Sequence, residues 1–440
     1  MATPADDFLD PSKISPRQWL ILTLGVMAAV LDGYDIIIVA YTAPAISQEW
    51  SVSPSEMGVL FSASVFGMAL GAMFLAWLAD RFGRCIVVSA ALLIAGVATL
   101  LAAYSQGVTS FVALRFLAGL ALGVLVATLP ALVGEFSPRL HRTAILGVLM
   151  AGNSIGGFVG GQISAELITE HGWKSLYFYA GLGSILLGIA IYFLVPESLA
   201  FIAKRNPTGA LQRINRILTS LGQATVQSLP AFAAETQAEK ATVFSLLTPT
   251  RRMTTLLCWS TFFCGFLAVY FISSWVPQIL VNSGFAQVDA IRATSFMALG
   301  SILGTLLLGF IARWVSLNLL IAVMFAVGAC VMYALNISLS NVENLSFGLI
   351  SVMMFVIGVS MMAAFSSLYT VAMTIYPVQV RSTGLGWAAG LGRFGAVLSP
   401  ILAGAMIDMG VAVDTMFLYF SIPVLLAAVG IKLVKMQEMA

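Results

Sequence analysis

Long apolar runs alternate with short polar segments along almost the whole chain. A helix crossing a bilayer core needs about 20 apolar residues, and runs of that length predict spans at 19–41, 57–78, 86–104, 109–134, 143–166 and 173–194. A second set follows at 253–275, 290–312, 317–336, 345–370, 382–406 and 414–434. The longest hydrophilic stretch, 196–252, separates the two sets. Within it Leu211, Ile214, Ile217, Leu218 and Leu221 recur at helical spacing, with Arg213 and Arg216 between them. That pattern predicts an amphipathic helix lying at the inner membrane interface. About 55 residues without a core of their own are too few for a catalytic domain. The expected fold is an all-α integral membrane protein of twelve transmembrane helices. Residues 1–195 form one six-helix bundle, 196–252 a linker, and 253–440 a second six-helix bundle.

Composition makes lipid the solvent. Of 440 residues, 60% are hydrophobic and 9% charged, against roughly 25% charged in a soluble chain. The first 16 residues are polar and acidic, with Asp6, Asp7 and Asp10, so no cleavable signal peptide is expected. Cys85, Cys258, Cys264 and Cys330 fall in or beside apolar runs without metal-ligand spacing, the pattern of small buried thiols. Charge then sets orientation. With the N-terminus inside, only Lys174 and Arg292 of the 21 Lys and Arg lie outside, and Arg115 and Arg393 fall within spans. The other 17 sit on the inner side, so both termini are expected to be cytoplasmic.

The two sets of spans are copies. "SPRLHRTAILGVLMAGNSIGG" at 137–157 aligns without gaps to "YPVQVRSTGLGWAAGLGRFGA" at 376–396, an offset of 239 that pairs Pro138 with Pro377, Arg142 with Arg381 and Gly147 with Gly386. Near the second and eighth spans, Gly67 meets Gly300 and Gly71 meets Gly304 at an offset of 233. A six-helix unit repeated in one orientation implies a pseudo-twofold axis along the membrane normal, with substrate held near midplane between the halves.

A charged side chain at membrane depth is expensive and functional by default. Asp32 and Asp35 stand in "VLDGYDIII" of the first span, roughly 20 to 24 Å from its inner end and three residues apart on one helix face. Two carboxylates held close cannot both ionise cheaply, which suits proton carriage or substrate contact. Arg115, about six residues into the fourth span, lies at nearly the same depth and is expected to pair with Asp35 or Asp32. Arg393 lies near midplane in the eleventh span, and its repeat counterpart is Ser154, beside Asn153. A guanidinium there suits bidentate capture of a carboxylate. Tyr270, Trp275, Phe365, Tyr369 and Trp387 supply aromatic surface on which a ring could stack.

On the inner side "AWLADRFGRC" at 76–85 resembles the signature loop of the major facilitator superfamily, G-x-L-x-D-R-x-G-R-R/K. Asp80, Arg81, Gly83 and Arg84 match, whereas Ala76 and Cys85 depart from it. The resemblance implies the major facilitator fold and an inner charge latch to which Glu135, Arg142 and Arg381 would belong, altered in the second half by Arg313. "DGYD" with "APAISQEW" (43–50), "VPESLAFIA" (195–203), "YFISSWVPQIL" (270–280) and "RSTGLGWAAGLGRFGAVLSPILAG" (381–404) is similar to the aromatic acid:proton symporters of that superfamily. That likeness implies proton coupling at Asp32 and Asp35 and substrate binding at Arg393.

The function expected is proton-driven import of a small carboxylate such as a hydroxybenzoate, by a monomer in the cell inner membrane that needs no cofactor. Proton-antiport efflux of amphipathic compounds and uptake of a non-aromatic acid such as muconate are the alternatives. Enzymatic chemistry finds no support: His141 and His171 are the only histidines, and no nucleophile triad, metal cluster or phosphate-cradling loop occurs at membrane depth. A nucleic-acid partner would need a basic patch beyond the inner-face bias.

Overall fold

The computed structural model describes residues 9–11, 13–229, 243–249, 251–340, 346–377 and 380–434. Asp6, Asp7, the middle of the linker and the predicted start of the tenth span at 345 lie outside the described residues. Twelve helices are long and apolar enough to cross a membrane. They are α1 (Pro16–Trp50), α2 (Pro54–Phe74), α3 (Arg84–Ala102), α4 (Val108–Phe136), α5 (Arg142–His171) and α6 (Trp173–Leu194). The second set is α7 (Arg252–Asn282), α8 (Gln287–Ile311), α9 (Leu317–Leu339), α10 (Phe347–Ile375), α11 (Arg381–Asp408) and α12 (Thr415–Leu433). The chain is a multi-pass membrane protein.

Local chemistry sets the starts. Ser15 and Ser53 form capping boxes with Gln18 and Glu56, and a proline follows each cap, where its missing N–H is no loss. α1 runs past the apolar stretch to Trp50, through the buried Pro44. Neighbours hold that end: Trp50 meets Phe111 and Trp173 edge-on at 5.7 and 5.4 Å. Glu49 accepts from Trp173 Nε1 at 2.6 Å and Lys174 Nζ at 2.7 Å. Packing, not hydropathy, decides where this helix stops.

The repeat is visible in contacts. A Cβ on Gly67 or Gly71 would run into the α4 carbonyls of Phe116 and Leu120, and one on Gly300 or Gly304 into those of Phe355 and Val359 on α10. Gly119 rests on the Ser64 carbonyl as Gly358 rests on that of Met297. Arg142 donates to the Ser137 carbonyl at 3.3 Å, and Arg381 donates to that of Tyr376 at the same distance. One departure breaks the symmetry. α10 contains a π-helical turn at Gly358–Met362, whereas the matching stretch of α4 is regular α-helix.

The halves meet at the face away from the ends of the chain. There Gly58 lies against the Pro400 carbonyl and Gly404 against that of Pro54, bringing α2 and α11 backbone to backbone. Ser62 Oγ donates to the Val397 carbonyl at 2.7 Å, and Asp408 accepts from the Ser55 N–H at 3.0 Å. Across α5 and α8, Gln162 Nε2 donates to Ser295 Oγ at 2.7 Å, and Arg292 pairs with Glu166. At the opposite, basic face the space opens. Gly147 on α5 and Gly386 and Gly390 on α11 have nothing within 4 Å of where a Cβ would stand.

The linker departs from expectation. Its helix, Ala210–Ser220, buries Ile214, Ile217 and Leu218, with the following Leu221, in the same cluster as Ile21, Leu22, Val133 and Phe136 of the first half. The apolar face covers protein rather than lipid. Gln223 ties it down, accepting from the Asp10 N–H at 2.8 Å. The thiols also divide: Cys85 and Cys258 are buried, Cys264 is half-buried and Cys330 is exposed on the outer surface of α9. Lipid tolerates an exposed thiol there, so an apolar run did not imply burial.

Candidate functional site

The first half holds its charges at depth with its own side chains. Arg115 on α4, fully buried, grips Asp35 in a fork: Nη1 to Oδ1 at 3.0 Å and Nη2 to Oδ2 at 2.7 Å. Nη2 also donates to the Asp35 carbonyl at 2.8 Å. Thr99 on α3 donates to Oδ1 at 2.9 Å and accepts from Arg115 Nη1 at 3.3 Å, and the Tyr177 ring lies under the guanidinium at 5.9 Å. Asp35 is thereby tied to α3 and α4. A bidentate, hydrogen-bonded pair is the arrangement in which Coulomb attraction can offset burial of two charges.

Asp32 has another neighbourhood. Three residues along an α-helix leave two side chains roughly 60° apart in azimuth, enough here to aim Asp32 at α5 instead. Gly33, Gly152 and Gly156 let α1 and α5 close to backbone contact, a Cβ on Gly33 running into the Asn153 backbone. Asn153 Nδ2 then donates to Asp32 Oδ2 at 3.3 Å. The other oxygen, Oδ1, is buried and has no hydrogen-bond partner among the described residues. Among the described residues Asp32 has no cation within ion-pair distance, so the two aspartates are chemically distinct.

The second half supplies aromatics and one cation. Phe266 and Tyr270 of α7 stack at 6.0 Å, Phe365 of α10 stands edge-on to Phe266 at 4.7 Å, and Tyr369 stands edge-on to Phe262 at 5.3 Å. α11 packs on this group through Gly392, against the Phe266 ring, and Gly395, against the Phe263 carbonyl. Arg393 lies between those glycines, half-buried, within electrostatic reach of Tyr270 and Tyr369. No carboxylate among the described residues pairs with it. Tyr270 is also within electrostatic reach of Asp32, across the boundary between halves.

A family model described as Major Facilitator Superfamily matches residues 25–400. The chain belongs to the major facilitator superfamily. This facilitator is similar to a gallate transporter of Pseudomonas putida, 31% identical over 426 residues that cover 97% of this chain and 93% of the relative. It is similar also to the 4-hydroxybenzoate transporter PcaK of Pseudomonas aeruginosa, 29% identical, with 97% and 94% covered. Among solved structures, a D-xylose-proton symporter has the same fold, with TM-score 0.74 at 15% identity over 95% of this chain and 99% of that one. A bacterial homolog of the human lysosomal transporter Spinster, inward-facing and occupied, matches with TM-score 0.71 at 16% identity, covering 96% and 97%. The protein is a transporter, not an enzyme.

Two of the expected substrate aromatics, Trp275 and Trp387, lie apart from the Phe266–Tyr270–Phe365 cluster. Trp275 is buried in the far-face seal, edge-on to Phe61 at 5.3 Å, with Nε1 donating to the Pro400 carbonyl at 3.2 Å. Trp387 lies toward the basic-face end of α11, exposed and beside Trp259 at 6.1 Å. Both were legible as aromatic but not as to depth or direction.

The basic-face charges arrange around a residue that charge and spacing did not single out. Glu197 accepts from the backbone N–H of Cys85 at 3.0 Å and of Ile86 at 3.4 Å, capping α3 over Gly83, whose φ of +107° few side chains could adopt. Arg84 pairs with Glu135, which also accepts from Ser198 Oγ. Arg81 offers its carbonyl to Arg205 Nη2 at 2.6 Å. Among the described residues Asp80, exposed, makes no ion pair or hydrogen bond, and Arg313 lies over the Phe310 ring. The signal for Glu197 was its place just after a span and before Ser198, the N-cap of the short helix Leu199–Arg205.

Proposed function

We propose that this facilitator imports a small aromatic carboxylate together with protons. One observation carries the reading: among the described residues Arg393, on the stretch of α11 that packs against the aromatic cluster of the second half, pairs with no carboxylate, and Asp32 of the first half pairs with no cation and keeps a buried oxygen without a donor. A substrate carboxylate completes Arg393, and its ring finds edge and face contacts on Phe266, Tyr270, Phe365 and Tyr369. A proton completes Asp32. The curated relatives named for gallate and 4-hydroxybenzoate support the aromatic class, and the relative named as a cis,cis-muconate transport protein marks the non-aromatic alternative. The Asp35–Arg115–Thr99 unit then braces α1, α3 and α4 while the halves move.

The excess of Lys and Arg supports a cytoplasmic location for the basic face, in the cell inner membrane. The far-face seal then makes this an inward-facing conformation. Rocking the halves separates α2 from α11 and α5 from α8 and closes the basic face. We take residues 1–195 and 253–440 as the moving bundles, with the linker helix riding on the first, in a monomer.

Reconstituted protein supplied with labelled 4-hydroxybenzoate, gallate, benzoate or muconate and an inside-alkaline pH gradient tests this. The expected result is accumulation of the aromatic acids that a protonophore abolishes. Accumulation of muconate alone would move the substrate to the non-aromatic class. Gradient-driven efflux of amphipathic compounds with no acid uptake would replace the reading by antiport.

A further inference from the structure

A proton-coupled carrier needs a site that both loads and empties, and the two oxygens of Asp32 are held differently. Oδ2 accepts from Asn153 Nδ2 at 3.3 Å, and Oδ1 is buried without a donor among the described residues. A buried carboxylate oxygen without a donor is costly while ionised, and a proton placed there removes the cost. Asn153 reaches Oδ2 because its backbone lies against Gly33, the residue after Asp32, where a Cβ would run into the Asn153 carbonyl.

The second half makes the same helix crossing with its sizes exchanged. The 233-residue offset of the second and eighth spans carries Gly33 onto Phe266, and the 239-residue offset carries Asn153 onto Gly392. A Cβ on Gly392 would run into the Phe266 ring, as one on Gly33 would run into the Asn153 backbone. Each crossing thus uses one small partner, and in the first half Gly33 supplies it. Packing does not call for an amide at position 153, whereas the carboxylate beside it does. The titratable groups near Asp32 on α1 and on the helices packed against it have other partners. Asp35 is clamped by Arg115 of α4 with the Tyr177 ring of α6 beneath, and Tyr34 bonds Ser164 of α5 at 2.8 Å. α7 brings Tyr270, stacked on Phe266, and the half-buried Cys264. α2 and α5 carry charge only toward their ends, at Glu56 and at Arg142 and Glu166.

We propose that Asn153 is the positioning residue of the proton site: it holds Asp32 Oδ2, leaves Oδ1 as the atom that takes the proton, and steadies the carboxylate left behind when the proton departs. This rests on the reading, given under Proposed function, that Asp32 carries the proton. On loading, water delivers a proton to Oδ1 and the Asn153 N–H stays on Oδ2. On release, the proton returns to water from the same oxygen. The proton is the only species gained or lost, and no covalent bond of Asn153 changes. A hydrogen bond that favours the ionised form makes release easier, which is the step that delivers substrate to the alkaline side. Asn153 therefore acts on Asp32 and not on the substrate.

Infrared titration of the purified protein tests this without transport, since the protonated-carboxyl band missing from Asp32→Asn belongs to Asp32. In Asn153→Ala the pH at which that band is half gone is expected to rise by about one unit, because the carboxylate has lost its donor. In reconstituted protein, exchange of 4-hydroxybenzoate, which needs no net proton movement, should keep its KM within about twofold. Gradient-driven uptake, which requires proton release, should fall about tenfold. An unchanged or lowered midpoint overturns the proposal. So does a KM for exchange that rises about tenfold at the parental midpoint, for Asn153 is then a substrate contact. Should Asn153→Ala not fold, Asn153→Gly, which installs the residue of the repeat, decides by the same midpoint. A parent whose Asp32 band does not titrate, or that accumulates no acid, defeats the functional reading itself. A titrating Asp32 whose midpoint ignores Asn153 defeats only this inference.

Discussion

The two halves share a fold yet solve the problem of charge in a membrane differently. In the first, Arg115 and Asp35 pair with each other, with Thr99 and a backbone carbonyl adding further hydrogen bonds. In the second, Arg393 lies where α11 packs on aromatic rings and has no anion partner among the described residues. The π-helical turn of α10, just ahead of Phe365 and Tyr369, lies on the same side of that asymmetry. On the proposed function, the closed pair is a brace and the open cation a receptor. The repeat supplies the scaffold, and departures from it supply the chemistry.

The largest expected effect breaks the comparison at the brace. Arg115→Leu leaves Asp35 buried and unpaired, a change that costs about 3–5 kcal/mol. It should show as a collapse in thermal stability of the purified protein, partly restored by adding Asp35→Asn. Arg393→Ala removes a charge that no protein group answers, so stability should stay near the parent's. Substrate binding should weaken by about 2–5 kcal/mol, roughly thirtyfold or more in KM. Equal loss of stability in the two variants would erase the distinction between brace and receptor.

Asp32→Asn comes next. The amide oxygen can still accept from Asn153, so folding should change by less than about 1 kcal/mol. Gradient-driven accumulation should vanish while exchange persists at a reduced rate, measured in the same vesicles. Asp35→Asn, by contrast, should lower thermal stability as well as transport. Retained accumulation in Asp32→Asn would move the proton elsewhere.

Smaller effects belong to the seal. Gly58→Val pushes a side chain into the Pro400 backbone, an overpacking of about 1–3 kcal/mol that disfavours the closed far face. A cysteine introduced at Phe61 should then react faster with an impermeant thiol reagent. Asp408→Asn and Glu166→Gln loosen exposed contacts of the same seal, and each should shift that labelling by less than about 1 kcal/mol in the equilibrium.

Much of this was readable from residue order. The spans, their duplication and a partner for Arg115 follow from hydropathy, the 239-residue register and the expense of lone charges in lipid. Which aspartate Arg115 takes was not readable, because a 60° turn of helix matters only once α3, α4 and α5 are in place. Glu197 looked like one more inner-face charge until Gly83 and the start of α3 gave it amides to hold. The linker helix was recognisable as amphipathic, yet its apolar face met Val133 and Phe136 instead of lipid. Periodicity marks a face that must be covered and says nothing about what covers it.

The sequence by itself determined twelve spans in two related halves, the basic face and the charges carried at depth. Local hydropathy and internal repetition are enough for those, since lipid permits few backbone solutions. Tertiary structure alone decided that Asp35 is clamped, that Asp32 keeps an oxygen without a partner among the described residues, and that Trp275 seals one face while Tyr270 stacks on Phe266. These depend on azimuth and on contacts between residues far apart in the chain, where glycine-mediated approaches of helices set which side chains can meet.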